Sequence, residues 1–469
     1  MTSVTAGLAP KEAARPGAQD PSLSFGRTLA FSATSLPVTA AIVAVMIHLP
    51  PYLATNIGVP LGSVGLIFAI CRFIDIPVEP MLGLAMDRTR TRLGRYRVWT
   101  LVGAPLLMAG LFMLLQAERG AGQPYLIGWL LVMYLGLSTL VLSHSAWGST
   151  LARTYNDRAR IFGIMAAAGV LGSIGVLLIP IVMERMGLPD SQGVRAMVWY
   201  VIGLTPVCVG LVVLLTPERV APAPKGHQPF RLRDYSELVV HPAMWRILAA
   251  DLCLTLGPGW MAALFIFFSR DRMHFTIGQA NQLLVVYIIA GLAGAPCMAW
   301  FATKVGKHRA CQVACVVYSL ALISIVFLPP GNVWANMPVN IVTGFVTTGF
   351  TALTRAMVAD VTDDIRLKQG KERGGLLFSL TTSTAKIATA AGTIITYPFL
   401  ASIGYDPKLG HGNSPEAIQG LTLAFLAGPT FFLALGAACF IGYGLTADKA
   451  AETRRLLEAR DAQLAAADA

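Results

Sequence analysis

Long apolar runs recur along the whole chain and are separated by short polar loops. A helix of about 20 apolar residues crosses a hydrocarbon core about 30 Å thick. The runs are continuously apolar rather than alternating, which excludes a transmembrane β-barrel. The pattern therefore predicts an all-α membrane protein with twelve transmembrane helices, over residues 30–50, 60–84, 98–117, 125–150, 161–183, 197–216, 244–268, 279–302, 310–328, 334–360, 375–400 and 419–446.

The longest polar connection, residues 217–243, divides these spans six and six. A weak internal repeat supports that division, because GLAMDRTRTRLGRYR follows span 2 and WFATKVGKHR follows span 8. Paired halves are typical of secondary transporters with a site near the membrane midplane. The predicted organisation is a disordered cytoplasmic tail (1–27), a six-helix bundle (28–216), a cytoplasmic linker (217–243), a second six-helix bundle (244–446) and a cytoplasmic tail (447–469), read as a polar helix.

Composition agrees with a membrane protein. Hydrophobic residues make up 55% of the 469 residues and charged residues 13%, against about 25% charged in soluble domains. The net charge of +11 would suggest a nucleic-acid partner in a soluble chain. Here most loop Lys and Arg residues lie in alternate loops, which indicates cytoplasmic termini in a cell (bacterial inner) membrane and no nucleic-acid partner. The protein is expected to function as a monomer.

Charged residues inside a span are costly and call for a reason. Span 2 carries Arg72, Asp75 and Glu79 in the segment CRFIDIPVEPMLG. The two acids are four residues apart, so they share one helix face, and Pro77 and Pro80 each free a backbone carbonyl. One interpretation is that these oxygens are the ligands of a Na⁺ ion. The other is that one of the two close carboxylates carries H⁺. The alternative is an Arg–Asp ion pair with Glu79 near the membrane edge.

Lys386 lies deep in span 11, too central to reach the interface easily. We expect a carboxylate partner, and Asp75 and Glu79 are the best candidates. The alternative is a static ion pair. Asp251 in span 7 is a further charged candidate nearer its span's cytoplasmic end.

Other candidates are polar or aromatic residues within spans. His144 and Trp147, nearly one turn apart in span 4, offer a hydrogen bond and a stacking face, and Trp260 in span 7 offers another ring. Each has an ordinary packing role as its alternative. The chain has no nucleotide-binding or hydrolase motif of the Walker A, GxSxG or HExxH types. No enzyme activity and no cofactor is expected beyond a coupling cation, H⁺ or Na⁺.

These segments resemble the major facilitator superfamily, and within it the glycoside–pentoside–hexuronide:cation symporters. The loop DRTRTRLGRYRVW resembles the signature loop of the superfamily, and RFIDIPVEPMLG resembles the family's span 2. ADVTDDIRLKQGKERGGLLFSLTTSTAK resembles its span 10–11 connection, and SHSAWGSTL the end of its span 4. The resemblance implies that Asp75 and Glu79 bind the cation, that Lys386 matches the span-11 lysine, and that Trp147 matches a sugar-site aromatic residue.

The chain also departs from that family. A melibiose-transporting member has sugar-binding carboxylates in spans 1 and 4, where this chain has Thr39 and Ser143. A span-4 threonine associated with Na⁺ falls at Leu140, although Ser138 and Thr139 are adjacent. These differences argue against melibiose and leave H⁺ at least as well supported as Na⁺.

The sequence thus predicts cation-coupled symport of a sugar or glycoside by alternating access. The alternatives are transport of a lipid-like or drug-like solute on the same fold, and a non-transporting assembly factor or sensor. Lys386 would link the cation site to the substrate pocket. Substrate-binding candidates are Arg72, Ser143, His144, Trp147, Asp251 and Trp260. The expected cytoplasmic gate consists of Asp87, Arg88, Arg92 and Arg95.

Overall fold

A computed structural model describes residues 24–151, 155–218, 242–369 and 374–467. Most of the predicted tail over 1–27 and most of the predicted linker over 217–243 therefore lie outside the described residues, and the domain limits stay predictions. The described residues form helices and no strand. In chain order the helices are α1 (Phe25–Ile57), α2 (Leu61–Arg88), α3 (Tyr96–Leu115), α4 (Gln123–Leu151), α5 (Tyr155–Arg185), α6 (Asp190–Leu215), α7 (Pro242–Phe267), α8 (Ile277–Val305), α9 (Lys307–Ser324), α10 (Val333–Gln369), α11 (Gly374–Ser402), α12 (Pro415–Cys439) and α13 (Ala447–Ala467).

Eleven helices in the described part of the chain are long and apolar enough to cross a membrane. The helix α11 is also long enough, with 29 residues, but its Ser and Thr residues and Lys386 lower its hydropathy. The twelve predicted spans correspond to α1–α12. The last helix, α13, is the polar helix expected near the end of the chain.

The first helix changes its hydrogen-bonding pattern twice. It widens into π-helical turns at Ala44–His48 and Leu53–Ile57. Pro50 and Pro51 lie between these turns and cannot donate backbone hydrogen bonds to residues one turn earlier. Single π turns are frequent at functional sites. The first of these two, Ala44–His48, lies where α1 contacts α7.

The packing is pseudo-symmetric. Within the first six helices α2 packs on α4, α3 on α6 and α1 on α5, and the second six repeat this as α8 on α10, α9 on α12 and α7 on α11. Between the halves α2 packs on α11, and α5 on α8. Replacing each helix by its counterpart in the other half (α2 by α8, and α11 by α5) exchanges these two contacts, as expected for two related halves. This is a major facilitator fold.

Glycines allow the closest helix pairs to form. At Gly136 in α4 a side chain would overlap the backbone of Leu107 in α3, and at Gly344 in α10 it would overlap the backbone of Tyr287 in α8. Small residues let membrane helices approach until their backbones touch. The two glycines lie in the corresponding helices α4 and α10, although their partner helices, α3 and α8, are not counterparts.

The halves also touch on the face that holds the α1–α2 and α11–α12 connections, which we call the distal face because it lies opposite the chain ends. There Lys408 Nζ donates to the Gly58 carbonyl at 3.1 Å, and Thr276 Oγ1 donates to Glu184 Oε2 at 2.9 Å. Gly65 of α2 packs against the side chain of Tyr397 in α11. The seam between the halves is therefore closed on the distal face.

Candidate functional site

A cluster of four charged side chains lies at the seam between α2 and α11. Asp75 is its most buried member, with a side chain only 3% exposed. Lys386 Nζ donates to Asp75 Oδ2 at 3.1 Å, and Ser138 Oγ of α4 donates to Asp75 Oδ1 at 2.8 Å. The carboxylate is thus held from two neighbouring helices, one in each half.

Lys386 binds both acids of α2. Besides its bond to Asp75 it forms an ion pair with Glu79. The spacing of four residues makes this double contact possible, because it places both carboxylates on one face of α2. The predicted pairing of Lys386 with the span-2 acids is confirmed, and it joins the two halves of the molecule.

Arg72 is the second positively charged residue that approaches Asp75. Its Nη1 lies 3.7 Å from Asp75 Oδ2, its Nη2 lies 3.0 Å from the Met46 sulfur of α1, and its guanidinium lies 4.4 Å from the ring centroid of Tyr134 in α4. Cation–π contacts of this kind stabilise a guanidinium that has lost water. Arg72 therefore balances charge in the site.

Charge balance limits what this site can bind. Arg72 and Lys386 carry two positive charges, and Asp75 and Glu79 carry two negative charges, so the cluster is neutral as it stands. A cation that binds the two carboxylates adds a positive charge next to the Lys386 ammonium. The carboxylate oxygens of Asp75 and Glu79 are already in contact with Lys386, so a cation that binds them must compete with Lys386.

Asp251 lies apart from this cluster but touches the same helix. Its side chain is buried in α7, and its Oδ2 accepts a hydrogen bond from Thr384 Oγ1 of α11 at 3.0 Å. Thr384 is two residues before Lys386. Both buried acids, Asp75 and Asp251, therefore contact one short stretch of α11.

The three substrate-binding candidates of α4 form packing contacts. Ser143 Oγ lies 3.1 Å from Thr100 Oγ1 of α3. His144 Nε2 lies 2.8 Å from the Phe31 carbonyl, and Trp147 packs edge-on against the Phe31 ring and is fully buried. The structure does not bring these residues to the charged cluster, and their role in substrate binding stays a prediction.

Trp260 lies in the second half, away from the α4 candidates. Its Nε1 donates to the Ala424 carbonyl of α12 at 2.9 Å, and its ring packs against Phe432. Its role in binding also stays a prediction.

The signature loop, residues 87–97, is fixed by a residue that the sequence analysis missed. Glu218, just beyond α6, accepts hydrogen bonds from the backbone N–H groups of Arg95 at 2.7 Å, Tyr96, and Arg97 at 3.1 Å. Gly94 has φ +124° and leaves no room for a side chain beside the Glu218 carboxylate. The start of α3 is thus bound to the end of α6, within the first half. The Gly in the loop and an acid directly after a predicted span were the available signals.

The gate residues differ in their surroundings. Arg95 Nε donates to the Met86 carbonyl at 3.0 Å, and its guanidinium lies over Tyr96. Arg88 and Arg92 are exposed. The Asp87 side chain lies outside the described part of the structure. The contacts of Arg95 with Met86 and Tyr96 lie within the first half, and a gate that closes against the far half stays a prediction.

Tyr134 was also missed as a site member, and Ser138 was named only as a neighbour of the position of a Na⁺-associated threonine. They are four residues apart in α4 and so share the face that meets Arg72 and Asp75. Such a pair cannot be recognised from the sequence of an apolar helix, because Tyr and Ser are also ordinary packing residues in membrane helices.

A charged cluster at the seam between two pseudo-symmetric six-helix halves is the arrangement expected of a secondary transporter. Residues 30–447 match the family model described as MFS/sugar transport protein, and the chain belongs to this family. The protein is therefore a multi-pass membrane transporter and not an enzyme.

Curated relatives cover most of the chain at low identity. The putative glycoside/cation symporter YagG of Escherichia coli (strain K12) is 26% identical over 88% of this chain and 90% of its own. The isoprimeverose transporter of Lactiplantibacillus pentosus is 23% identical, covering 82% of this chain and 81% of its own. The uncharacterized symporter YnaJ of Bacillus subtilis (strain 168) is 22% identical, covering 86% and 88%.

Solved structures share the fold. The nucleoside transporter NupG superposes with a TM-score of 0.67 at 12% identity, covering 89% of this chain and 100% of its own. A bacterial homolog of the human lysosomal transporter Spinster, in an inward-facing and unoccupied conformation, gives a TM-score of 0.61 at 14% identity, covering 93% and 99%. At these identities the likeness supports the fold alone.

Proposed function

We propose that this protein couples the movement of a cation to the transport of a sugar or glycoside by alternating access. The observation that carries the proposal is the contact of Lys386 with both Asp75 and Glu79 across the seam. Relatives named as a glycoside/cation symporter and an isoprimeverose transporter agree with it.

The coupling step is an exchange of partners. In the observed state Lys386 forms ion pairs with both acids and connects α2 to α11. A cation that enters takes over the carboxylates and releases Lys386, so the tie between the halves is broken or remade according to whether the cation is bound. A site that biases two arrangements of one seam in this way couples ion binding to the conformational change.

The observed conformation fits one half of this cycle. The seam is closed at the distal face by the Lys408 and Glu184 contacts, and the Glu218 bonds of the signature loop remain within the first half. We propose that the distal face is extracytoplasmic, that both termini are cytoplasmic, and that the central site opens to the cytoplasm. The protein would act as a monomer in a bacterial inner membrane.

The proposed coupling ion is H⁺ rather than Na⁺. Na⁺ needs several oxygen ligands around it, but here one ammonium already lies on both carboxylates, and Ser138 Oγ is the neighbouring side-chain oxygen that donates to Asp75. A proton needs only one carboxylate oxygen. It neutralises that oxygen and so weakens its hold on Lys386.

The test is transport by protein reconstituted into vesicles, with labelled sugars and glycosides screened first for uptake. We expect a pH gradient to drive accumulation of the substrate without Na⁺. Adding substrate should also make the external medium more alkaline, because protons enter the vesicles with it. Uptake driven by a Na⁺ gradient at constant pH, without proton movement, would reverse the choice of ion. Failure of every solute to move any cation would favour the assembly factor or sensor.

The variant Asp75→Asn isolates the site. The Asn side chain has the same size but has no carboxylate that takes up and releases a proton. We therefore expect this variant to lose accumulation against a gradient while remaining in the membrane. Glu416→Gln, an exposed acid at the start of α12, is the matched control and should accumulate normally. Normal accumulation by a well-expressed Asp75→Asn protein would remove Asp75 from the coupling site.

A further inference from the structure

Two exposed histidines face each other on the distal face, away from the charged cluster. His274 follows α7, in the connection to α8, and His411 lies in the connection between α11 and α12. Their Nδ1 atoms are 3.0 Å apart and their ring centroids 4.7 Å apart. The two segments are 137 residues apart in the chain, so only the fold brings the imidazoles together.

The two Nδ1 atoms are placed so that both could bind one metal ion lying between them. In the observed contact one Nδ1–H donates to the lone pair of the other Nδ1. If that ring instead adopts its other neutral tautomer, with the proton on Nε2 after exchange with water, both Nδ1 lone pairs point into the same space. A tetrahedral Zn²⁺ holds nitrogen ligands about 2.0–2.1 Å away, which separates two such nitrogens by roughly 3.3 Å. A small outward movement of exposed side chains supplies this separation.

The backbone at His274 supports a specific orientation. His274 has φ 58°, the sole positive value for a non-glycine residue among the described residues. Such a conformation is uncommon, although His, Asn and Asp adopt it more often than other side chains. It turns the His274 ring out of the end of α7 toward the α11–α12 connection.

We propose that His274 and His411 form a binding site for a divalent transition-metal ion such as Zn²⁺ or Ni²⁺. Imidazole nitrogen suits these ions, whereas Mg²⁺ and Ca²⁺ prefer oxygen ligands. No group of three or more His, Cys, Asp or Glu side chains suited to a metal occurs in the part of the chain that the structure describes. Water completes the coordination at this exposed position, and the ion takes the place of the proton that the two rings share.

The surrounding charges do not supply a third ligand. The buried carboxylate of Asp271, three residues before His274, is bound by Arg270 at 2.6 Å and by the Tyr405 hydroxyl. Asp406 accepts the backbone N–H of Lys408 at 2.9 Å. The site therefore depends on the two imidazoles, and losing either one should leave a single weak ligand.

The position of the site gives it a consequence for transport. His411 lies in the same connection as Lys408, whose Nζ bonds the Gly58 carbonyl of the other half. A metal ion bound to both histidines would link this connection to the end of α7 and so restrain the segment that closes the distal face. This consequence rests on the proposed alternating-access function, whereas the metal site itself does not.

The experiment measures Ni²⁺ binding to tag-free protein in detergent by isothermal titration calorimetry. The background carries Cys297→Ser, because Cys297 is the exposed cysteine. The variants are His274→Asn and His411→Asn. Asn is chosen at position 274 because it adopts a positive φ more readily than most residues. Two-point attachment exceeds one-point binding by about 10²–10⁴-fold, so we expect each variant to bind Ni²⁺ about 100-fold more weakly or not at all. His308→Asn, at the start of α9 on the opposite face, is the control and should bind as the background does.

Three outcomes decide the proposal. Unchanged Ni²⁺ affinity in both His274→Asn and His411→Asn overturns it, as does absence of binding in the background protein. Loss of binding in both variants, with an unchanged gel-filtration profile and thermal unfolding in metal-free buffer, supports it. Where transport is measurable, Ni²⁺ should slow the background and not the variants, and chelator should restore the rate. Failure of this last result with binding intact would remove only the consequence for transport.

Discussion

The contact of Lys386 with the acids of α2 makes a quantitative prediction about stability. Replacing Lys386 by Met keeps the length of the side chain and removes its charge, which leaves Arg72, Asp75 and Glu79 with one excess negative charge. Replacing Asp75 by Asn leaves one excess positive charge. The double variant Lys386→Met with Asp75→Asn restores neutrality, since Arg72 and Glu79 remain.

The magnitude follows from the distances. Unit charges 3.1 Å apart attract by about 5 kcal/mol at an effective dielectric constant of about 20. When Lys386 is removed, Arg72 at 3.7 Å and the Ser138 hydroxyl still stabilise Asp75, and Glu79, whose side chain is 18% exposed, keeps some water. We therefore expect each single variant to lose about 3 kcal/mol of unfolding free energy, and the double variant to lose about 2 kcal/mol less than the sum of the two singles.

The assay is chemical unfolding in detergent micelles, followed by tryptophan fluorescence, for the four members of the cycle. A second cycle pairs Asp75→Asn with Lys408→Met, a lysine on the distal face that should not interact with Asp75. Losses in the Lys386 cycle that add within about 0.5 kcal/mol would refute the reasoning. Lys386 would then more readily be a direct contact of the substrate. Accumulation should be absent from the double variant, because neutrality restores stability and not the coupling carboxylate.

Two further predictions concern loops at opposite faces. Glu218→Gln should lower stability by about 1.5–3 kcal/mol, because a charged acceptor serving backbone N–H groups is lost, and should slow transport; an unchanged unfolding curve would contradict this. At the distal face, burial first and the Asp271 carboxylate second raise the pKa of Tyr405. A raised pKa in the folded protein means that stability is present below the unfolded value of about 10 and is lost as pH rises above it. Tyr405→Phe should therefore lose stability less steeply than the wild type between about pH 9 and pH 11, and equal slopes would refute this.

Much of the fold could be predicted from the sequence because the membrane restricts what a chain can do. An apolar run that enters a bilayer must satisfy its own backbone, so hydropathy alone indicates helices. The same cost makes Asp75, Glu79 and Lys386 visible, since charges in apolar runs require partners. Their spacing indicated that the two acids share one face of α2, and they were the best candidates for the partner of Lys386.

Side-chain roles in ordinary-looking segments could not be predicted in this way. His144 and Trp147 were conspicuous by residue type, yet they pack against Phe31. Tyr134 was inconspicuous, and Ser138 was named only for its position near Leu140, yet both contact the charged cluster. Periodicity gives the face on which a residue lies but does not say which neighbour that face meets.

The sequence by itself determined the helical class, the number of spans, the two-part organisation and the acids and lysine of the site, because each depends on the local cost of placing a group in lipid. Only the tertiary structure decided which helices meet. The contact of Lys386 with Asp75 spans 311 residues, that of Arg95 with Glu218 spans 123, and that of His274 with His411 spans 137. Such contacts depend on how helices pack against each other, and packing between lipid-like surfaces is set by shape and small residues rather than by hydropathy.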